Sequence, residues 1–344
     1  MFMNVLLSRI CPKIRPISFY FRCSITKTRA LSKLPSRNPI YIISKPVLVF
    51  IPCASLLHNG PANQVAWEDV EENIYHLMSL ARLALEKGDT EKATAILEMG
   101  IKICEEYEAY VALPYIYDIL ASISFALGNM DKAEHLLVSA IEKLIQTGSP
   151  ADGSQVLDFQ LRLARIYSAY EKNHLAEIGF WDCLNKQKAK ILDGDTSTKT
   201  GMLYVNVLFW YGLHKIRVNQ HKIAKEYITS AYDYSLKIKG LSPYQEMVIL
   251  YTLADLHMQL GENNLALQNI NNAILLGKGI GSTDLPRCYL KLATIYVNLG
   301  TWSIAKESCL EAIKMAKLFN DDVLAGEAEF TLVLIEKKIQ QSIE

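Results

Sequence analysis

Three groupings in this 344-residue sequence have residue types that bear on chemistry: a glycine-rich run, the seven histidines and the seven cysteines. Gly277, Lys278, Gly279, Ile280 and Gly281 have the glycine content of a loop that cradles phosphate. The run follows a helical pattern rather than a strand, however, and lacks the Gly-Lys-Ser/Thr ending that places a lysine and a hydroxyl on the phosphates. It reads as a turn. His214 and His221 fall on opposite sides of an expected turn near Asn219, so they cannot form the i, i+4 pair of a zinc-binding helix. His257 reads as a packed or hydrogen-bonded core residue. Cys11, Cys23, Cys53, Cys104, Cys183, Cys288 and Cys309 contain no CxxC pair and no close Cys/His cluster, which disfavours zinc and redox chemistry. No GxSxG marks a hydrolase nucleophile. No catalytic, cofactor-binding or metal-ligating residue is therefore expected, and the chain reads as a non-catalytic protein.

The elements that would carry any other activity are set by a repeat. An alanine recurs six times, as Ala93, Ala133, Ala176, Ala224, Ala266 and Ala305. Twelve residues before each stands another small residue: Ala81, Ala121, Ala164, Gly212, Ala254 and Ala293. Seven residues after it comes a third: Gly100, Ala140, Cys183, Ala231, Ala273 and Ala312. Small side chains let helix axes approach closely. Five residues before each alanine lies a helix breaker, namely Gly88, Gly128, Glu171, Asn219, Gly261 or Gly300. Glycine there ends a helix at positive φ without a Cβ clash. Large apolar residues at three-to-four spacing fill the intervals, so each unit reads as two antiparallel helices with a tight turn. The alanine spacing runs from 39 residues (266 to 305) to 48 (176 to 224), which calls for long second helices or long linkers.

This order of small, breaker, small and small residues resembles the tetratricopeptide repeat, although the usual early tryptophan and terminal proline are missing. The usual tyrosine survives only as Tyr167 and Tyr296, and His257 stands in its place in another unit. The resemblance implies an all-α fold: a right-handed α-solenoid of tetratricopeptide-type helix pairs. Six repeats span 68–320, followed by a capping helix over 321–341 with an inward stripe at Leu324, Ala328, Leu332 and Ile335. In such solenoids the first helix of each pair lines the concave side. Helical phase then nominates a peptide-binding groove of Tyr75, Arg82, Tyr115, Asp118, Phe125, Arg162, Arg165, Phe209, Trp210, Arg217, Tyr251, Asp255, Met258, Arg287 and Lys291. Aromatic rings and arginine forks suit an extended or helical peptide, and arginine favours acidic segments. Several of these aromatics are equally suited to packing between repeats. The lysine and asparagine set with which chaperone-binding members of the family hold a C-terminal carboxylate is not reproduced.

Formal net charge is zero, but the ends differ. No acidic residue precedes Glu68, whereas nine basic residues do, from Arg9 to Lys45. Removing those nine from the 36 Lys and Arg leaves 27 against 36 acids, so the remainder is acidic and poorly suited to nucleic acid. Residues 1–60 read as a poorly ordered mitochondrial targeting leader. Within it, 40–57 (IYIISKPVLVFIPCASLL) reads as an apolar sorting or anchor segment, short for a span and interrupted by Lys45, Pro46 and Pro52. A basic leader followed by an apolar run is the order of a sorting signal for the intermembrane space.

Tyr117 to Gly148, YDILASISFALGNMDKAEHLLVSAIEKLIQTG, and Arg162 to Leu184, RLARIYSAYEKNHLAEIGFWDCL, resemble a mitochondrial branch of the same repeat family. That resemblance implies a protein of the inner membrane, and the order of leader and apolar run puts it on the side of the intermembrane space. The resemblance also implies partners in respiratory complex III and fragments of its Rieske iron-sulfur subunit. A general chaperone or import adaptor for precursor peptides is the alternative.

Overall fold

The structure, a computed structural model, describes residues 67–238 and 240–341. Those residues form thirteen α-helices and no strand. Six antiparallel pairs run α1 (Trp67–Glu86) with α2 (Thr90–Glu106), α3 (Leu113–Ala126) with α4 (Met130–Gln146), and α5 (Ser154–Ala169) with α6 (Asn173–Leu192). They continue as α7 (Thr198–Arg217) with α8 (His221–Ser235), α9 (Pro243–Gln259) with α10 (Asn263–Gly279), and α11 (Leu285–Asn298) with α12 (Trp302–Leu318). The last helix, α13 (Asp322–Gln341), packs on α12. The described residues form an all-helical solenoid of tetratricopeptide type. The leader and its apolar segment, like Cys11, Cys23 and Cys53, lie outside the described residues.

The small residues sit where axes meet. All six repeating alanines are completely buried, and so are Ala81, Ala254 and Ala293 of the preceding helices. Gly212 replaces alanine because a Cβ there would stand 2.4 Å from Ile228 Cγ1. All six breaker positions adopt positive φ, between 61° and 82°, including the non-glycine residues Glu171 and Asn219. In the turns that begin at Asp89 and Asn129 the side chain accepts a hydrogen bond from the backbone N–H three residues on, satisfying a donor the new helix leaves free. The longest alanine spacing is absorbed by helix length, since α6 and α7 each have 20 residues. Gly277 and Gly279 lie inside α10. Gly277 packs against Leu285 and Met247, and Gly281 (φ 60°) makes the turn that follows.

The apolar interior falls into clusters that each draw on neighbouring helices, as expected when each repeat buries its faces only against neighbours. One cluster joins Val70 to Ile166 and another joins Leu157 to Ile295, overlapping within α5. Cys104, Cys183, Cys288 and Cys309 belong to this interior, and burial pushes their thiols up, that of Cys104 to about 11 and that of Cys183 to about 12. On α13, Leu324, Ala328 and Ile335 face inward, and the outward face mixes the charged Glu327, Glu329, Lys337 and Lys338 with apolar residues. Val323, Phe330, Val333 and Leu334 are each at least half exposed.

Candidate peptide-binding face

The first helices touch one another directly where α5 meets α7, α9 meets α11 and α11 meets α13. The nominated groove residues lie on these helices, and the structure places them in three ways. Tyr75, Arg82 and Tyr115 are exposed. Phe125, Phe209 and Trp210 are packed, each no more than 4 % exposed: Phe125 meets the edge of Tyr170, and Phe209 meets the edge of Trp210. Their rings serve the inter-repeat interfaces, because a first helix is flanked on both sides and only part of its surface remains open. Phe209 also floors a small cleft between α7 and α9, with Val205, Asn206, Gln245 and Val248.

The remaining residues are half-buried, and most of them bridge consecutive units. Arg162 on α5 reaches back to Asp118 on α3 and along its own helix to Asp158, 2.9 Å from Nη2. Burial alone would lower its pKa, but the two carboxylates outweigh that and raise it, so this arginine is locked as a cation. Tyr115 accepts a hydrogen bond from Gln155 Nε2 at 3.0 Å across the same interface. Arg217 on α7 donates to the Ser168 carbonyl at 2.8 Å. Further along, Lys291 of α11 pairs with Asp255 of α9 and lies over the Tyr251 ring, and Arg287 stands 3.7 Å from Asp321. Met258 packs partly into the core.

Arg165 differs from the others. Its guanidinium carbon lies 3.6 Å from the centroid of the Trp210 ring, a cation–π stack between α5 and α7. Burial, with Arg162 beside it, lowers its pKa to about 9. Its Nε is buried without a hydrogen-bond partner.

A second layer of contacts went unrecognised in the sequence. In two units the residue after the repeating alanine reaches the next unit's first helix, three residues beyond its small position, and in a third it does so through an intervening carboxylate. Glu134 accepts from Tyr167 at 2.8 Å, and Glu177 pairs with Lys215 at 2.7 Å. Lys225 binds Glu262, which in turn holds His257. The offset was visible in the repeat, but its chemistry changes from unit to unit and so escapes a search for one residue type. At Glu177 these contacts bring together Ser168, His214 and a carboxylate: Ser168 Oγ lies 2.9 Å from His214 Nδ1, and His214 Nε2 lies 3.4 Å from Glu177 Oε2. Ser168 is 6 % and His214 2 % exposed, and the cluster braces α5, α6 and α7. Burial lowers the pKa of His214, although Glu177 opposes the shift. Among the described residues no group of three or more His, Cys, Asp or Glu is arranged to hold a metal ion, and no helix is long and apolar enough to cross a membrane.

Comparison with known proteins points the same way as the fold. A family model described as anaphase-promoting complex subunit 5 matches residues 64–127, 208–285 and 281–338. Human tetratricopeptide repeat protein 19, mitochondrial, is 24% identical over 290 residues, which cover 81% of this chain and 76% of the human one. The crystal structure of the apo form of RapI shares 13% identity with a TM-score of 0.61, over 82% of this chain and 74% of that one. A signal transduction ATPase with numerous domains and a tetratricopeptide repeat sensor, from Pyrococcus horikoshii, shares 16% identity with a TM-score of 0.56. The match covers 77% of this chain and 37% of the ATPase.

Proposed function

From the premise that this chain belongs to the family described as anaphase-promoting complex subunit 5, among the tetratricopeptide-repeat proteins, we propose that it is a non-catalytic adaptor that binds proteins in mitochondria. Its partners are respiratory complex III and fragments of the Rieske subunit. It works at the inner membrane, on the side of the intermembrane space, and supports complex III by helping to clear those fragments. The observation that carries this reading is the likeness, over 81% of the chain, to a protein named as mitochondrial. It is supported by a face of first helices whose exposed aromatic and charged side chains suit a peptide.

Affinity capture of the full-length chain from mitochondria in mild detergent tests the partnership, with complex III subunits expected among the specific partners. Depleting the protein should raise the level of Rieske fragments, and unchanged fragments would reject the clearance role. Equal binding to many unfolded precursors, with no enrichment of complex III, would instead favour the general chaperone reading. Protease protection in mitochondria and mitoplasts reports the side of the membrane.

A further inference from the structure

Two of the junctions between successive first helices in this solenoid share a pair of positions. The residue just after the small position of one unit faces the residue two before the small position of the next. Between α9 and α11 that pair is Asp255 and Lys291, a closed ion pair whose charges cancel. Between α5 and α7 it is Arg165 and Trp210. The ring orients the guanidinium but brings no negative charge, and Arg165 makes no hydrogen bond or ion pair with any described residue.

One oxygen of each nearby carboxylate is committed to Arg162, while Asp118 Oδ1 is buried without a hydrogen-bond partner. Asp118 and Asp158 both bind Arg162, and Asp158 does so through two of its nitrogens, at 3.2 and 2.9 Å. Within a body that is acidic overall, one arginine is thus stacked on a ring and half-buried on the face of the first helices with no ion pair of its own, Asp118 and Asp158 acting on it only from a distance. Removing a cation from water without a counter-charge is unfavourable, so a carboxylate delivered there gains more than it would at an open surface. An arginine already held flat on a ring also gives up less side-chain entropy on binding. The chain's own leader cannot supply the carboxylate, because no acidic residue precedes Glu68.

We infer that Arg165, stacked on Trp210, is the receptor for an aspartate or glutamate side chain of a partner segment lying across α5 and α7. This deepens the adaptor reading and rests on it: the partner is an acidic stretch of polypeptide, and its carboxylate forms at Arg165 the ion pair that Asp255 and Lys291 already form two units further on. Nη1 and Nη2 are the donors, since Nε is enclosed.

The test uses the full-length chain and three fluorescein-labelled octapeptides read by anisotropy. One alternates alanine with glutamate and is acetylated and amidated, the second replaces glutamate by glutamine, and the third is the glutamine peptide with a free C-terminal carboxylate. The glutamate peptide should bind at least about tenfold tighter than the glutamine amide, a difference of about 1.4 kcal/mol. Arg165→Gln should erase that preference, and Arg165→Lys, which keeps the charge but not the planar fork, should keep part of it. A glutamate preference that survives in Arg165→Gln, or equal binding of all three peptides, overturns the assignment. Stronger Arg165-dependent binding of the free-terminus peptide overturns the side-chain source.

Thermal melting of Arg165→Met separates a receptor from a structural strut. Loss of a cation with no ion pair of its own should leave the melting temperature at or above that of the parent chain, whereas a large drop would assign the arginine to the fold. Mitochondrial capture with the parent chain and with Arg165→Gln keeps the two readings apart. No complex III subunits on the parent chain would reject the adaptor reading and leave the peptide result standing. Equal capture by both chains, without a glutamate preference, would reject only the role of Arg165.

Discussion

Gly212 and Ile228 are in direct contact across the pair α7 and α8, so closely that a β-carbon on the glycine would stand 2.4 Å from Cγ1 and 3.0 Å from Cδ1 of the isoleucine. The other five units place alanine at this position. Gly212→Ala would gain about 1 kcal/mol of helix propensity. Overpacking a close contact costs about 1–3 kcal/mol. The variant should therefore unfold at lower denaturant, and in that background Ile228→Ala should cost much less than it costs in the parent chain. Additive effects in that double-mutant cycle would show that the contact does not limit the site.

Glu171 and Asn219 hold the breaker position at φ 61°, where four other units have glycine. A left-handed conformation costs an ordinary side chain about 1–2 kcal/mol. Asparagine bears it more easily, and glycine adds about 0.5–1 kcal/mol of backbone entropy to the cost of folding. Glu171→Gly is expected to raise stability by about 0.5 kcal/mol or more, and Asn219→Gly to change it little. Chemical denaturation of the two variants side by side checks the order, and a destabilised Glu171→Gly would mean that its side chain matters more than its backbone.

Glu177 gathers Lys215, Tyr211 and His214 from the next unit. The Lys215 side chain is only 10% exposed, so removing its carboxylate leaves a nearly buried ammonium without a partner. Glu177→Gln should cost about 1–3 kcal/mol. Replacing both partners, as Glu177→Gln with Lys215→Met, should cost less than Glu177→Gln alone, because it removes the stranded charge. If the double variant were the weaker of the two, Lys215 would be stabilising the fold through contacts other than Glu177, such as its place over the Tyr211 ring.

The same cluster sets a pH response. Burial holds His214 below its ordinary pKa of 6.5. The unfolded chain therefore binds a proton there more readily than the folded one, and stability is full above 6.5 and declines as pH falls from that value toward the lower folded pKa. Glu177 adds a second decline in more acid solution. Burial would raise its pKa, but the hydrogen bonds from Lys215 and Tyr211 keep it below 4.5, so its contribution is lost as pH falls through that lower value. Urea midpoints should drop between pH 7 and 5.5 in the parent chain and drop less in His214→Phe. An identical pH profile for the two would exclude His214 as the source.

Much of the architecture was written in residue types at fixed offsets. Alanine and glycine can occupy a helix crossing that larger residues cannot, so Ala93 to Ala305 announce where backbones meet. A breaker five residues earlier announces the turn even when it is Glu171. The candidate face was less legible. Helical phase correctly puts Arg162, Arg165 and Trp210 on first helices, yet it does not say that Trp210 is enclosed while Tyr75 is open, because burial depends on a helix more than 35 residues away. Nor does it say that the outward face of α13 keeps Phe330 and Val333 in water, since the stripe that was read there describes only the inward side.

By itself the sequence determined the period, the pairing of helices and the positions of close approach, since these follow from the volume of a side chain and the allowed φ of a residue, both local properties. Only the tertiary structure decided which charges meet. Arg162 finds two carboxylates and Arg165 finds a ring, although they are three residues apart on one helix, because the outcome depends on the facing residues of α3 and α7. Electrostatic pairing depends on distance in space, and that distance exists only once the units have stacked.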